Sequence, residues 1–229
     1  SGSAEIGGLD CLQQRVEVHR MVSYLPGDAR LFRMMRARKM LGIFCGFRED
    51  ASFEKAVEIA DRLELDLSRW VGLMSTGMRQ KLALAITLCS QTPLVILDEP
   101  TVGVDPILRQ SIWSYLIQLS IQQKRAILIT THYIEEARKA NMVSFMRNGK
   151  LLAEDSPSNL LTINGFETLE QVFLKLCKLD EKIIPREPEK TVSNEKELGI
   201  QALSYIPTSS LHNLQQVEKR NIQNEYRLL

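Results

Sequence analysis

The run Leu94-Val95-Ile96-Leu97-Asp98-Glu99-Pro100 constrains the fold of this chain more than any other stretch. Its four consecutive β-favouring apolar residues make a strand that is apolar on both faces. Such a strand belongs inside a parallel sheet with helices on each side. Two adjacent carboxylates end it. Open α/β sheets bind their ligands at the carboxyl ends of the strands, and a desolvated acid is costly unless a cation or hydrogen bonds compensate it. Asp98 is therefore a candidate to orient a magnesium ion, and Glu99 a candidate to polarise an attacking water. An acidic strand end facing solvent explains the same residues as well.

The surrounding pattern agrees with an α/β domain. Ala126-Ile127-Leu128-Ile129-Thr130 repeats the apolar strand signature after a helix expected from Pro106 to about Gln122. Strands alternating with helices in this way indicate an α/β fold. The first twenty-five residues read as short strands, with a turn at Gly7-Gly8 and a β-rich run Met21–Leu25 stopped by Pro26-Gly27. Helical spacing is expected from Arg30 to Phe47, from Ser52 to Leu65, and from Ser75 through Cys89. Asn148-Gly149 marks a hairpin between Met142–Met146 and Lys150–Ala153. Beyond Lys178 the composition turns to Pro, Ser, Asn, Gln and Glu without apolar periodicity, which reads as a linker or disordered tail. A short helix near Leu211 to Glu225 is conceivable there.

Composition removes several classes of function. With 29 basic and 28 acidic residues the net charge is +1, which is not the profile of a dedicated nucleic-acid binder. Cys11, Cys45, Cys89 and Cys177 are widely separated and form no CxxC pair or zinc-ligand spacing. Isolated thiols suit a reducing compartment better than a disulfide scaffold. No run of eighteen apolar residues occurs, so no segment is expected to span a bilayer.

Three further clusters carry possible chemistry. In Met74-Ser75-Thr76-Gly77-Met78-Arg79-Gln80-Lys81, a small Ser and a Gly at a helix start let amides and a hydroxyl approach an anion; an ordinary Ser N-cap is the commoner meaning. Thr101-Val102-Gly103-Val104-Asp105-Pro106 leads into a helix, and plain capping would also choose Asp105 before Pro106. Thr130-Thr131-His132 ends a strand, where a lone His is usually only a polar terminus.

Their order and register add what no single cluster carries. The arrangement resembles the nucleotide-binding domain of ABC transporters over about Ser1 to Lys178. Ser75-Thr76-Gly77-Met78 resembles the signature motif, and Val95 to Glu99 resembles Walker B with its catalytic glutamate. Val104-Asp105 is similar to the D-loop and His132 to the switch histidine. Glu5-Ile6-Gly7-Gly8-Leu9-Asp10 looks like the segment after the P-loop helix. Thr168 to Leu174 resembles the closing helix of exporter-type cassettes. Two departures stand out. No G-x-x-x-x-G-K-[ST] occurs in the sequence, and by register that loop and its strand are expected upstream of Ser1. On that expectation Leu94–Leu97 and Ala126–Thr130 lose a sheet neighbour. The second departure is Gly27, which follows Tyr24-Leu25-Pro26 where the family usually has a glutamine; either Asp28 substitutes for it or the contact is lost.

The resemblance implies a P-loop NTPase-type α/β cassette, incomplete at its N-terminal P-loop strand, with a helical subdomain and a C-terminal tail. Residues 1–29 are expected to hold a partial β region and the Q-loop equivalent, and residues 30–74 the helical subdomain that continues into the signature helix 75–90. Walker B, D-loop, switch and closing helix follow in 91–178, and the tail in 179–229. The implied cofactors are ATP and Mg2+, with Asp98 on the metal. Ser75, Thr76, Gly77, Met78, Asp98 and Asp105 would bind nucleotide, and Glu99 and His132 would act in hydrolysis. The implied partners are a second nucleotide-binding domain, head to tail, and a transmembrane domain in the same or another chain, at the cytoplasmic face of a membrane. Nucleic acid is not among them. A non-catalytic module that presents its signature motif to a partner is the alternative.

Overall fold

A computed structural model describes residues 2–183 and 201–206. They fall into two compact units, one built on residues 1–127 and the other on residues 128–206.

The first unit opens with a hairpin of β1 (Glu5–Ile6) and β2 (Leu9–Asp10). Gly7 and Gly8 supply the positive φ angles, 60° and 80°, that its turn needs. A helix expected by no pattern follows, α1 (Arg15–Met21). Val18 is its one buried residue, so no apolar stripe announces it. The turn before it comes from Asp10, whose Oδ1 accepts the amides of Leu12 and Gln13, both at 2.8 Å.

Next come β3 (Val22–Leu25), α2 (Ala37–Gly46), α3 (Phe53–Arg62), α4 (Thr76–Leu88), β4 (Leu94–Asp98) and α5 (Pro106–Gln123). Helix α2 begins seven residues later than the spacing predicts. Backbone pairing replaces the first two turns: the amides of Ala37 and Arg38 donate to Arg69 and Leu67, and Arg36 bridges to Trp70. Met34, within the stretch expected to be helical, is 89% exposed. Helices α2, α3 and α4 pack on one another through Met40, Leu41, Ala56, Ile59, Leu82 and Leu84, all buried.

Strands β3 and β4 pair in parallel, from Val22 beside Leu94 to Leu25 beside Leu97. Ser23, Leu25, Val95 and Leu97 are buried on one face. The other face is only half-covered, with Tyr24 56% exposed and Leu94 and Ile96 intermediate. The expectation of cover on both faces is corrected to this. At the strands' entrance Ser23 Oγ meets Ser90 Oγ at 2.5 Å and Thr92 Oγ1 at 2.7 Å. Buried Arg125 donates to Thr92 O at 2.8 Å and to Thr92 Oγ1 at 3.1 Å. Burial lowers its pKa to about 10. These bonds, with Ala126 N–H on Pro93 O at 2.8 Å, start β5 (Ala126–Thr131) beside β4. Buried polar groups need such partners, and here they anchor the end away from the carboxylates.

In the second unit β5 continues, and β6 (Met142–Arg147) and β7 (Lys150–Asp155) form the expected hairpin. Asn148 and Gly149 sit at φ 49° and 72°, as its tight turn requires. Helices α6 (Pro157–Asn164) and α7 (Leu169–Ile183) follow, around a core of Val143, Phe145, Leu160, Leu169, Val172 and Phe173. The expected tail contains a strand, β8 (Gln201–Ile206), antiparallel to β6. The sheet order in this unit is β5, β8, β6, β7. Strand β5 is nonetheless not left without a neighbour there: a bare strand edge leaves its amides and carbonyls unpaired, and β8 takes the place expected to be empty. The helix conceived near Leu211 to Glu225 lies outside the described residues.

Helix α3 ends in a Schellman turn, with Leu65 N–H on Ala60 O and Glu64 N–H on Asp61 O, both at 2.9 Å. Glu64 occupies the left-handed position at φ 53°, a conformation that costs an L-residue about 1–2 kcal/mol. Part of that cost is offset by the larger unfolded-state entropy of glycine. Glu64→Gly is therefore expected to raise stability by up to about 1 kcal/mol in chemical denaturation; a loss of stability would contradict this assignment of strain.

Candidate functional site

The first unit brings three of the sequence clusters together. Ser75 is the N-cap of α4, and its Oγ accepts Met78 N–H at 3.2 Å. The plain capping role is thus realised, and the hydroxyl proton stays able to donate. Helix geometry leaves the amides of Thr76 and Gly77 without an i−4 acceptor, at the positive end of the helix dipole. Arg79 folds back on this turn, donating to Met74 O and to Thr76 Oγ1.

Gly77 is pressed against the loop that follows β4. A Cβ built on Gly77 would lie 2.3 Å from Gly103 O, and one on Gly103 would lie 3.8 Å from Thr76 Cγ2. Gly103 itself takes φ 71°. The signature-like turn and the Gly103 loop therefore meet backbone to backbone, an approach only glycine permits. Asp105, two residues on, caps α5 by accepting Leu108 N–H at 2.9 Å.

Asp98 ends β4 half-buried, and its Oδ2 accepts Gly27 N–H at 3.3 Å. Glu99 follows at φ 50°, which is uncommon for a residue of its type and turns the chain sharply out of the strand. Its Oε2 is closed off from solvent. Its carbonyl accepts Gln80 Nε2 at 3.2 Å, and Gln80 is buried in the face of α4. Strain of this kind persists where the surroundings over-determine it; the Gln80 bond and buried Thr101 do so here.

Sequence reasoning passed over Gln80. Its signal is a polar residue among the buried positions of an otherwise apolar helix. Asp28, the candidate to substitute at the Q-loop position, has an 84% exposed side chain that pairs with Arg30 at 3.2 Å. His132 belongs to the second unit. Its exposed ring lies 4.3 Å from that of Tyr133, whose amide donates to Thr131 Oγ1.

Mg2+ is held by one or two carboxylates together with substrate phosphates and waters. The half-buried carboxylate of Asp98 at a strand end fits that demand. Among the described residues no cluster of three or more ligating side chains exists, and no helix is long and apolar enough to cross a membrane.

Comparison with known proteins gives the same class. The family model described as ABC transporter matches residues 1–102. ABC transporter G family member 23 of Dictyostelium discoideum is 36% identical over 166 residues, covering 71% of this chain and 24% of its own length. The chain thus spans about a quarter of that relative. In fold, the chain is similar to an ATP-binding subunit of an ABC transporter, with TM-score 0.66, 20% identity and 77% of each chain covered. It is also similar to the ATP-binding cassette MJ0796 in a dimeric post-hydrolysis state bound to ADP and Pi, with TM-score 0.62, 19% identity, 68% of this chain and 73% of that one. The fold is that of a P-loop NTPase-type α/β cassette. The chain's first 102 residues match the ABC transporter family model, and its fold is similar to that of ABC transporter ATP-binding cassettes.

The Gly77–Gly103 contact yields a direct prediction. Gly77→Ala forces the Gly103 loop or the start of α4 to move, at a cost of about 1–3 kcal/mol, as for overpacking elsewhere. Denaturant unfolding should show that loss, and amide shifts should move at residues 101–105. An alanine variant as stable as the parent, with those amides unmoved, would contradict the contact.

Proposed function

We propose that this chain supplies part of the ATP-hydrolysing machinery of an ABC transporter, in a head-to-tail pair of cassettes at the cytoplasmic face of a membrane. A transmembrane domain, in the same or another chain, would receive the work. The observation that carries this reading is convergence: α4 through Gly77, β4 through Glu99 and the Gly103–Asp105 loop meet in one place.

In this reading Ser75, Thr76, Gly77 and Met78 offer a hydroxyl and helix-start amides to the γ-phosphate held by the other cassette. Asp98 would hold a magnesium ion. When bound, that ion neutralises charge on the β- and γ-phosphates. Glu99, turned out of the strand by its left-handed backbone, polarises the attacking water. Asp105 supports the loop at the cassette interface, and His132 contacts the γ-phosphate and reports its loss. The dimeric state of the ATP-binding cassette MJ0796, bound to ADP and Pi, supports pairing of such cassettes.

A second reading is favoured by one observation: the 229 residues contain no G-x-x-x-x-G-K-[ST]. In this reading the chain presents Ser75 and Gly77 to a partner's ATP without hydrolysing any itself.

The test is Glu99→Gln in a preparation that binds and hydrolyses ATP. The amide keeps the shape of the side chain but not its basicity, so turnover should fall by about 10²-fold or more while ATP-dependent dimerisation persists. Turnover within a few-fold of the parent would remove Glu99 from this role and favour the second reading.

A further inference from the structure

Strands β3 and β4 run abreast until Leu25 meets Leu97. The next residue of the first strand is Pro26, which has no N–H to donate, so the ladder stops there. The following amide, that of Gly27, turns instead to a side chain and donates to Asp98 Oδ2 at 3.3 Å. A Cβ at residue 27 would stand 3.1 Å from that oxygen and 3.4 Å from Asp98 Cγ. Gly27 is not among the glycines at positive φ, so its backbone conformation does not demand glycine. What a side chain at this position would meet is the Asp98 carboxylate. Asp28, the next residue, is largely exposed and pairs with Arg30.

We propose that Gly27 is a positioning residue for Asp98. Its amide sets the rotamer of the carboxylate, and the absence of a Cβ keeps residue 27 from crowding Asp98 Oδ2, where a divalent cation would be held. The second half of the proposal rests on the ATPase reading; the first half does not. Gly27 acts through Asp98 and touches no reacting atom. The link between this loop and the strand end is then a backbone amide, where the sequence offers no side-chain oxygen. Hydrogen-bond partners of a metal-binding carboxylate typically change metal affinity or activity by about 10–100-fold when removed or displaced.

The test uses the chain in solution, with Mn2+ alone as the probe. In the parent, three-bond couplings should place Asp98 in a single χ1 rotamer, and Asp98→Ala should move the Gly27 amide proton upfield while leaving the amides of residues 29–31 in place. Gly27→Ala should shift the Asp98 couplings and raise the Mn2+ concentration for half-maximal paramagnetic broadening at residues 97–99 by about 10-fold. Asp28→Asn should do neither. An Asp98 that averages rotamers in the parent overturns the proposal whether or not the alanine variant folds. Asp98 couplings unchanged in a folded Gly27→Ala, or Mn2+ binding weakened as much by Asp28→Asn, would overturn it too. Turnover in Glu99→Gln tests the ATPase reading and leaves these couplings untouched, so the two failures are distinguishable.

Discussion

Leu25 beside Leu97 is the pairing on which the rest of the site depends. Both side chains, with Val95, are buried, and burying a residue of this size contributes about 1.5–3 kcal/mol. A slip of one residue would turn the slipped strand's buried side chains to the half-covered face, so the register is tightly held. Whatever follows the last pair is fixed along with it. Gly27 arrives beside Asp98 because Pro26 ends the ladder one residue earlier, and Glu99 leaves the strand through a left-handed turn. At the other end Arg125, Thr92, Ser90 and Ser23 hold the strands by hydrogen bonds in a closed interior. The polar network anchors one end and leaves the carboxylates at the other.

Legibility in the sequence followed the source of each element's stability. Helices whose starts are set by a single side chain were readable: Ser52, Ser75 and Asp105 each cap the helix they were expected to open, by accepting the amide three residues on. The 148–149 hairpin was readable for the same reason, since its turn is a local matter of positive φ. Elements held by distant partners were not. Residues 30–36 look helical by spacing but are drawn into pairing with 67–72, and α1 buries too little to show a pattern. Strand β8 depends on an edge of β6 that local sequence cannot reveal.

The site divides along the same line. Ser75, Gly77, Asp98, Glu99 and Asp105 could be named from residue type and order. How they meet could not: the Gly77–Gly103 approach, the Gln80 bond to the Glu99 carbonyl and the Gly27 bond to Asp98 all join residues from separate elements. Three glycines and a glutamine thus carry as much of the arrangement as the carboxylates do. They hold the start of α4, the end of β4 and the start of α5 in a common frame. Ordinary caps at Ser75 and Asp105 serve that frame as well, so capping and phosphate recognition are compatible uses of one helix start.

The central claim is that the start of α4 and the Gly103 loop face a nucleotide held by another cassette. Amide hydrogen exchange tests it most directly, on this chain mixed with a P-loop-bearing cassette, with and without Mg-ATP. The account predicts slowed exchange at residues 76–78 and 101–105 only when partner and nucleotide are both present. Protection confined to other surfaces, or arising at these amides with the partner alone, would contradict it.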